Sequence, residues 1–114
     1  MNDKKTLYIL WTNADPLTSH FMVMMYATNS MLHNWWDEVT VIIWGATARY
    51  VAEDAAIQER IALAAHAGVK FTACVACARE LGVIDKLKDL GIEVIPWGKP
   101  LTDIISAKGN LITI

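Results

Sequence analysis

The segment VKFTACVACARELGV, residues 69–83, decides the fold of this chain. It opens with a short apolar run, passes through Cys74 and Cys77, and reaches Gly82 after one further helical stretch. The pattern predicts a strand over residues 69–73 and a helix over residues 74–81 that ends at the glycine. Both cysteines therefore lie where a strand passes into a helix.

The same alternation continues on both sides of this segment. Before it, the sequence predicts strands over residues 6–11 and 39–44 and helices over residues 15–32 and 48–67. After it, the sequence predicts helices over residues 84–90 and 101–107 and strands over residues 92–95 and 111–114. Apolar runs without polar alternation are typical of strands buried on both faces. We therefore expect an α/β fold, a three-layer α/β/α sandwich with a mainly parallel, about five-stranded sheet, as one domain over residues 1–114.

The chain is unusually apolar for its length. Of 114 residues, 54% are hydrophobic, and the mean hydropathy is +0.31. A domain this small cannot hide so much apolar surface within itself. The longest apolar stretches, Phe21 to Ala27 and Val41 to Ala46, are far shorter than the about 20 residues that span a bilayer. We expect no membrane insertion and assembly into a homo-oligomer, with the first helix, apolar on all sides, as the clearest signal.

Net charge and targeting signals limit the partners and the cellular location that we expect. The net charge is −2, the pI is about 5.8, and the basic residues are scattered, so no patch suited to direct nucleic-acid binding is visible. The apolar run from Leu7 to Trp11 is too short for a secretory signal. Two cysteines without such a signal favour a cytoplasmic, reducing location, in which a close pair is more often reactive or metal-binding than structural.

The pair Cys74/Cys77 carries the expected chemistry. The free amides and positive end of a helix N-terminus stabilise a thiolate, which is the nucleophile of sulfur transfer and disulfide exchange. Cys74 lies nearest the strand end, so we expect it to be the more reactive thiol. The spacing makes a disulfide feasible, and inert packing stays open as the alternative. One such pair supplies only two ligands, so no metal site is expected.

Other residues follow the predicted strands at the same edge of the sheet, where ligands gather in parallel α/β folds. The candidates for a ligand pocket are Asn13, Asp15, Gly45, Trp44 and Trp97. Asp15 is most simply a helix N-cap, and the tryptophans fit a core or an interface as well as a pocket wall. Residues 12–15 contain no glycine, so no phosphate loop and no cofactor are expected.

The segment Val69 to Val83 resembles the cysteine segment of DsrE/TusD-type proteins in the DsrE/DsrF-like family. VIIWG at residues 41–45 and GIEVIPWGKPL at residues 91–101 fit the same pattern. The resemblance implies a helix-flanked parallel sheet, assembly into oligomers, and in some members a cysteine that carries persulfide sulfur. Cys74 matches that cysteine, and Cys77 is an addition to the single-cysteine pattern.

The resemblance leads to a functional hypothesis with two alternatives. The chain is expected to be a small sulfur carrier or sulfurtransferase that acts through Cys74, with Cys77 assisting or resolving, and with donor and acceptor proteins as partners. The first alternative is a non-catalytic oligomeric module that binds a ligand or a protein at the same edge. The second is a thiol–disulfide redox protein that uses both cysteines.

Overall fold

The computed structural model describes residues 5–114. The five strands are β1 (Thr6–Trp11), β2 (Glu38–Ile43), β3 (Lys70–Cys74), β4 (Glu93–Ile95) and β5 (Asn110–Thr113). The helices are α1 (Pro16–Thr18), a π-helical segment (Ser19–Met24), α2 (Met25–Leu32), α3 (Ala46–Glu53), α4 (Ala55–His66), α5 (Val75–Leu81), α6 (Ile84–Asp89) and α7 (Gly98–Ser106). Among these described helices, none is long and apolar enough to cross a membrane.

All five strands run parallel in one sheet with the order β4-β3-β2-β1-β5. Trp11 pairs with Ile43, and Ile43 pairs with Ala73, so the carboxyl ends of the three inner strands meet at one edge. With helices on both faces, the molecule is a three-layer α/β/α sandwich. The predicted fold class is confirmed.

The two faces of the sheet are covered unequally, and the handedness of the connections explains why. From β1 to β4, each new strand is added at the same edge of the growing sheet. Right-handed crossovers therefore place every helix before β4 on one face of the sheet. The step from β4 to β5 reverses direction and carries α7 to the other face. The large buried cluster accordingly draws on the helices from the π-helical segment to α6, whereas Leu101 and Ile104 of α7 pack against a small cluster of Ile42, Cys74 and Trp97.

The first helix begins as predicted and then departs from regular geometry. Asp15 caps it, because its carboxylate accepts a hydrogen bond of 2.9 Å from the backbone N–H of Thr18, and proline follows at the first helical position. The π-helical segment was not predicted. Within it Val23 and Met24 are fully buried, while Phe21 is 62% exposed. The side of this helix that faces away from the sheet is therefore apolar and open.

The prediction of one continuous helix over residues 48–67 was wrong, because the structure divides it at Asp54. That residue has an extended backbone, and its carboxylate accepts a hydrogen bond of 2.9 Å from the N–H of Ile57 to start α4. Gln58 completes the junction by donating to the carbonyl of Val51 at 2.8 Å. Breaking a helix frees backbone polar groups, which costs free energy unless they find other partners. When they do, a residue that caps a new helix makes the break more stable than one continuous helix.

Candidate functional site

The two cysteines lie at the point where the chain changes faces. Cys74 is the last residue of β3 and the N-cap residue of α5, and it pairs in the sheet with Ile95 of β4. The helix after β3 goes to one face, and the helix after β4 goes to the other. Neighbouring strands whose connections diverge in this way leave a crevice beyond their carboxyl ends, where α/β proteins bind ligands.

Cys74 is held on the side of α7. It is 5% exposed and belongs to the small cluster with Ile42 and Trp97. The indole N–H of Trp97 donates to the hydroxyl of Thr72 at 2.8 Å, and that hydroxyl donates to the backbone carbonyl of Glu93 at 3.0 Å. These hydrogen bonds fix the ring against the Cys74 side chain, so this thiol lies in a rigid and nearly dry environment.

Cys77 links that environment to a cavity. Its half-buried side chain packs against the small cluster and also lines an open cavity of about 660 Å³. The lining residues come from the ends of β1 and β2 and from α3 and α5: Ala14, Gly45, Ala46, Arg49, Tyr50, Glu53, Ala76, Cys77, Glu80 and Leu81. Of the two thiols, Cys77 is therefore the one that a molecule in the cavity meets.

The two thiols interact with each other. Burial raises the pKa of Cys77 above its ordinary value, a hydrogen bond from the backbone of Gly45 opposes this rise, and the adjacent Cys74 thiol adds to it. Both cysteines are free thiols. At neutral pH Cys77 is thus mainly protonated, and its thiolate fraction grows as the pH rises toward and above its pKa.

Gly45 shapes the turn that brings this backbone to Cys77. Its φ of +70° and ψ of −128° form a combination that residues with a Cβ adopt only under strain. Two residues later the hydroxyl of Thr47, which is fully buried, donates to the carbonyl of Trp11 at 2.7 Å and accepts from the N–H of Trp44 at 3.1 Å. The turn after β2 is thereby fastened to the end of β1.

Tyr50 forms the wall between the cavity and the core. Its ring meets Trp11 edge to face, with the ring centroids 6.1 Å apart. Burial raises the pKa of Tyr50, and the negative charges of Asp54 and Asp15 add to the rise. Its hydroxyl oxygen is buried without a hydrogen-bond partner among residues 5–114.

Of the five residues proposed from the sequence as pocket candidates, Gly45 lines the cavity. Trp97 is buried beside Cys74, and the half-buried Trp44 packs against the same small cluster. Asn13 and Asp15 build the turn after β1, where the side chain of Asn13 accepts from the N–H of Asp15 at 2.8 Å. The structure therefore separates these candidates into a cavity wall, a packing cluster and a capped turn.

Four polar or charged lining residues were not predicted from the sequence, namely Arg49, Tyr50, Glu53 and Glu80. Arg49 and Glu53 are four residues apart on α3, a spacing that indicates a shared helix face. The spacing identifies a shared helix face, but it does not show which part of the molecule lies opposite that helix face. Within the part of the chain that the structure describes, no group of three or more His, Cys, Asp or Glu side chains is arranged to hold a metal ion.

The arrangement defines a class of protein, a small three-layer α/β protein with a thiol pair at the carboxyl edge of a parallel sheet. A conserved protein of unknown function from Bacteroides thetaiotaomicron, BT1422, is 34% identical over 96% of this chain and 95% of its own, with a TM-score of 0.94. The chain belongs to the same family as that protein.

A second solved structure shares the fold alone. It is a protein of unknown function from Methanobacterium thermoautotrophicum, MTH1491, which is 16% identical over 98% of this chain and 100% of its own, with a TM-score of 0.76. No protein-family model matches the chain, and no curated protein matches it.

Replacing Gly45 by alanine is expected to destabilise the protein by about 1 to 3 kcal/mol, because a Cβ is strained at its backbone angles. An added Cβ would meet nothing within 4 Å, so the cost is conformational rather than steric. Gly98→Ala is the matched control, since that position also has open space and no positive φ. Urea denaturation of the three proteins measures the difference. Equal midpoints for the two variants would contradict the assignment of strain to Gly45.

Cys77 is expected to react before Cys74 with a small neutral alkylating reagent, because Cys74 is buried. The difference in exposure therefore predicts the opposite order of reactivity to the one expected from the sequence, in which Cys74 is the more reactive thiol. The rate at Cys77 should rise with pH into the region of its ordinary pKa of 9.0 and beyond, because its pKa is raised. Iodoacetamide labelling of Cys74→Ser and Cys77→Ser, each with one thiol left, measures the two rates separately. Faster labelling of Cys77→Ser than of Cys74→Ser would mean that Cys74 reacts first, which would contradict this prediction.

Proposed function

We propose that this chain is a small DsrE-like sulfur-relay protein, which holds sulfane sulfur as a persulfide on Cys74 and uses Cys77 as the resolving thiol. The observation that carries the proposal is a pair of adjacent free thiols at the point where the chain changes faces of the sheet. One thiol is buried, and the other lines a cavity. The match of Cys74 to the sulfur-carrying cysteine of the DsrE/DsrF-like family supports the assignment of roles.

Loading is a transfer of one sulfur atom. The Cys74 thiolate attacks the terminal sulfur of a donor persulfide, the sulfur–sulfur bond of the donor breaks, and the donor leaves as a thiolate. The new bond joins the Cys74 sulfur to the transferred sulfur. Access from the cavity requires the Cys77 side chain to turn aside, and rotamer changes of that kind are fast compared with chemistry.

Release is an exchange within the pair. The Cys77 thiolate attacks the Cys74 sulfur of the persulfide, an intramolecular disulfide forms, and the outer sulfur leaves as hydrogen sulfide. The rate depends on the thiolate fraction of the attacking cysteine. Because the pKa of Cys77 is raised, this self-release is slow at neutral pH.

The cavity favours a second candidate function, a ligand-binding module without sulfur chemistry. Its volume of about 660 Å³ lies within the range of about 300–1,000 Å³ that is usual for small-molecule sites. In this alternative Cys77 is one wall residue among ten. A third function, thiol–disulfide redox cycling, uses the same pair, and its product after mild oxidation lacks two hydrogen atoms.

Exposed apolar surface and thiol chemistry support our proposals for the partners and the location. An apolar surface made of Leu17, Phe21, Met25 and Trp35 is exposed on the first helix and the turn after it. Surfaces of this kind mark association sites, and we infer that the protein is a homo-oligomer that covers this surface with a second copy. A pair of adjacent thiols that must stay reduced to accept sulfur fits the cytoplasm.

Persulfide lifetime tests the roles of the two cysteines. After exposure to a persulfide donor, wild type should gain the mass of one sulfur, Cys74→Ser should gain none, and Cys77→Ser should keep the adduct longer than wild type. The wild-type lifetime should shorten between about pH 7 and about pH 9 as the Cys77 thiolate fraction rises, whereas that of Cys77→Ser should change less. Intact-mass spectrometry over time measures both.

The outcomes separate the three functions. No adduct on any of the proteins would favour the binding module. Loss of two hydrogen atoms under mild oxidant, without a sulfur adduct, would favour the redox protein. Equal lifetimes in wild type and Cys77→Ser would remove the resolving role and leave a single-cysteine carrier.

Phe21→Glu is expected to dissociate the oligomer, because it places a charge in the centre of the apolar surface. Ile105→Glu is the matched control, since Ile105 is also exposed, at 58%, but lies on α7 at the opposite face of the sheet. Light scattering should return a mass near the 12.7 kDa monomer for Phe21→Glu and a larger mass for wild type and the control. A monomeric wild type would contradict the inference.

A further inference from the structure

The cavity beside Cys77 combines one positive and two negative side chains. Arg49 and Glu53 reach it from α3, and Glu80 reaches it from α5. Within residues 5–114 none of these three groups forms a hydrogen bond or an ion pair. All three are exposed, so each is accessible to a ligand.

The remaining lining is small and apolar. Ala14, Ala46 and Ala76 leave the space open, and Leu81 adds an apolar side chain. An open, concave site of this volume accommodates a molecule of amino-acid to small-peptide size, whereas a folded protein meets its partner over a broad surface. The shape therefore favours a small molecule as the occupant that meets Cys77.

The charges indicate which small molecule fits. A guanidinium recognises a carboxylate through paired hydrogen bonds, and carboxylates recognise an ammonium group. A ligand with one carboxylate and one ammonium group is complementary to this set, because Arg49 on α3 pairs with the carboxylate and Glu53 on α3 or Glu80 on α5 pairs with the ammonium group. For transfer to Cys74, the sulfur of this ligand must reach Cys77, the lining residue that also packs against the small cluster of Cys74.

We propose that the cavity binds a low-molecular-weight thiol that carries both an amino and a carboxylate group, and that the persulfide of this thiol is the sulfur donor. The proposal rests on the proposed sulfur relay for its chemistry but not for its ligand. The donor loses its terminal sulfur to the Cys74 thiolate and departs as the corresponding thiolate. A small zwitterionic donor, rather than a donor protein, therefore supplies the sulfur.

Binding without reaction tests the ligand class by itself. S-methylcysteine carries both charged groups and cannot transfer sulfur. Wild type should bind it, and Arg49→Gln should bind it at least about tenfold more weakly, because a charge-assisted hydrogen bond to the carboxylate is lost. Arg79→Gln makes the same change in net charge at an exposed residue outside the cavity lining and should bind like wild type. Isothermal titration calorimetry measures the three affinities.

Loading rates then connect the ligand to the relay. Wild type should load Cys74 faster from cysteine persulfide than from the neutral 2-hydroxyethyl persulfide, and Arg49→Gln should lose this preference while Arg79→Gln keeps it. Equal loading from both donors, or equal binding of S-methylcysteine by wild type and Arg49→Gln, would overturn the proposal and leave the relay standing. Arginine-dependent binding without any persulfide on Cys74 would support the ligand class and overturn the relay.

Discussion

The hydroxyl of Thr47 holds together the part of the molecule on which the site depends. It donates to the carbonyl at the end of β1 and accepts from the first N–H after β2, from a position with no solvent exposure. The N–H of Trp44 also donates to the carbonyl of Trp11 at 3.2 Å, so the backbone and the hydroxyl together tie the turn to β1 and leave it little freedom to shift. The start of α3 is fixed by this contact, and with it the placement of Gly45 against Cys77 and of Arg49 at the cavity.

The handedness of strand connections determines where the chemistry lies. Three successive crossovers in one direction place most of the helical mass on one face, and the single reversal after β4 leaves α7 alone on the other. Cys74 is the last residue of β3, and Trp97 lies between the end of β4 and the start of α7, where this reversal occurs. The cysteines therefore lie between two packing environments. Cys74 belongs to the sparsely covered face, while Cys77 contacts that environment and borders the cavity.

Most of the fold could be predicted from the sequence, because buried strands are apolar runs and glycines mark several of the helix ends. The break of the helix at Asp54 could not be predicted, because the free energy of the break depends on the hydrogen bond from Gln58 to the carbonyl of Val51. The π-helical segment depends on packing in the same way. For the site, the cysteine pair stood out by its spacing and by its place between a predicted strand and a predicted helix. Arg49 and Glu80 did not, because on separate helices their convergence depends on how each helix is rotated against the sheet.

The shortness of the edge strands limits how so apolar a chain can associate. β4 has three residues and begins with the exposed Glu93, and β5 has four and begins with the exposed Asn110. A strand approaching either edge would find few backbone groups to pair with and, at β4, a charge at the start of the ladder. Cross-β growth into fibres through these edges is thereby disfavoured.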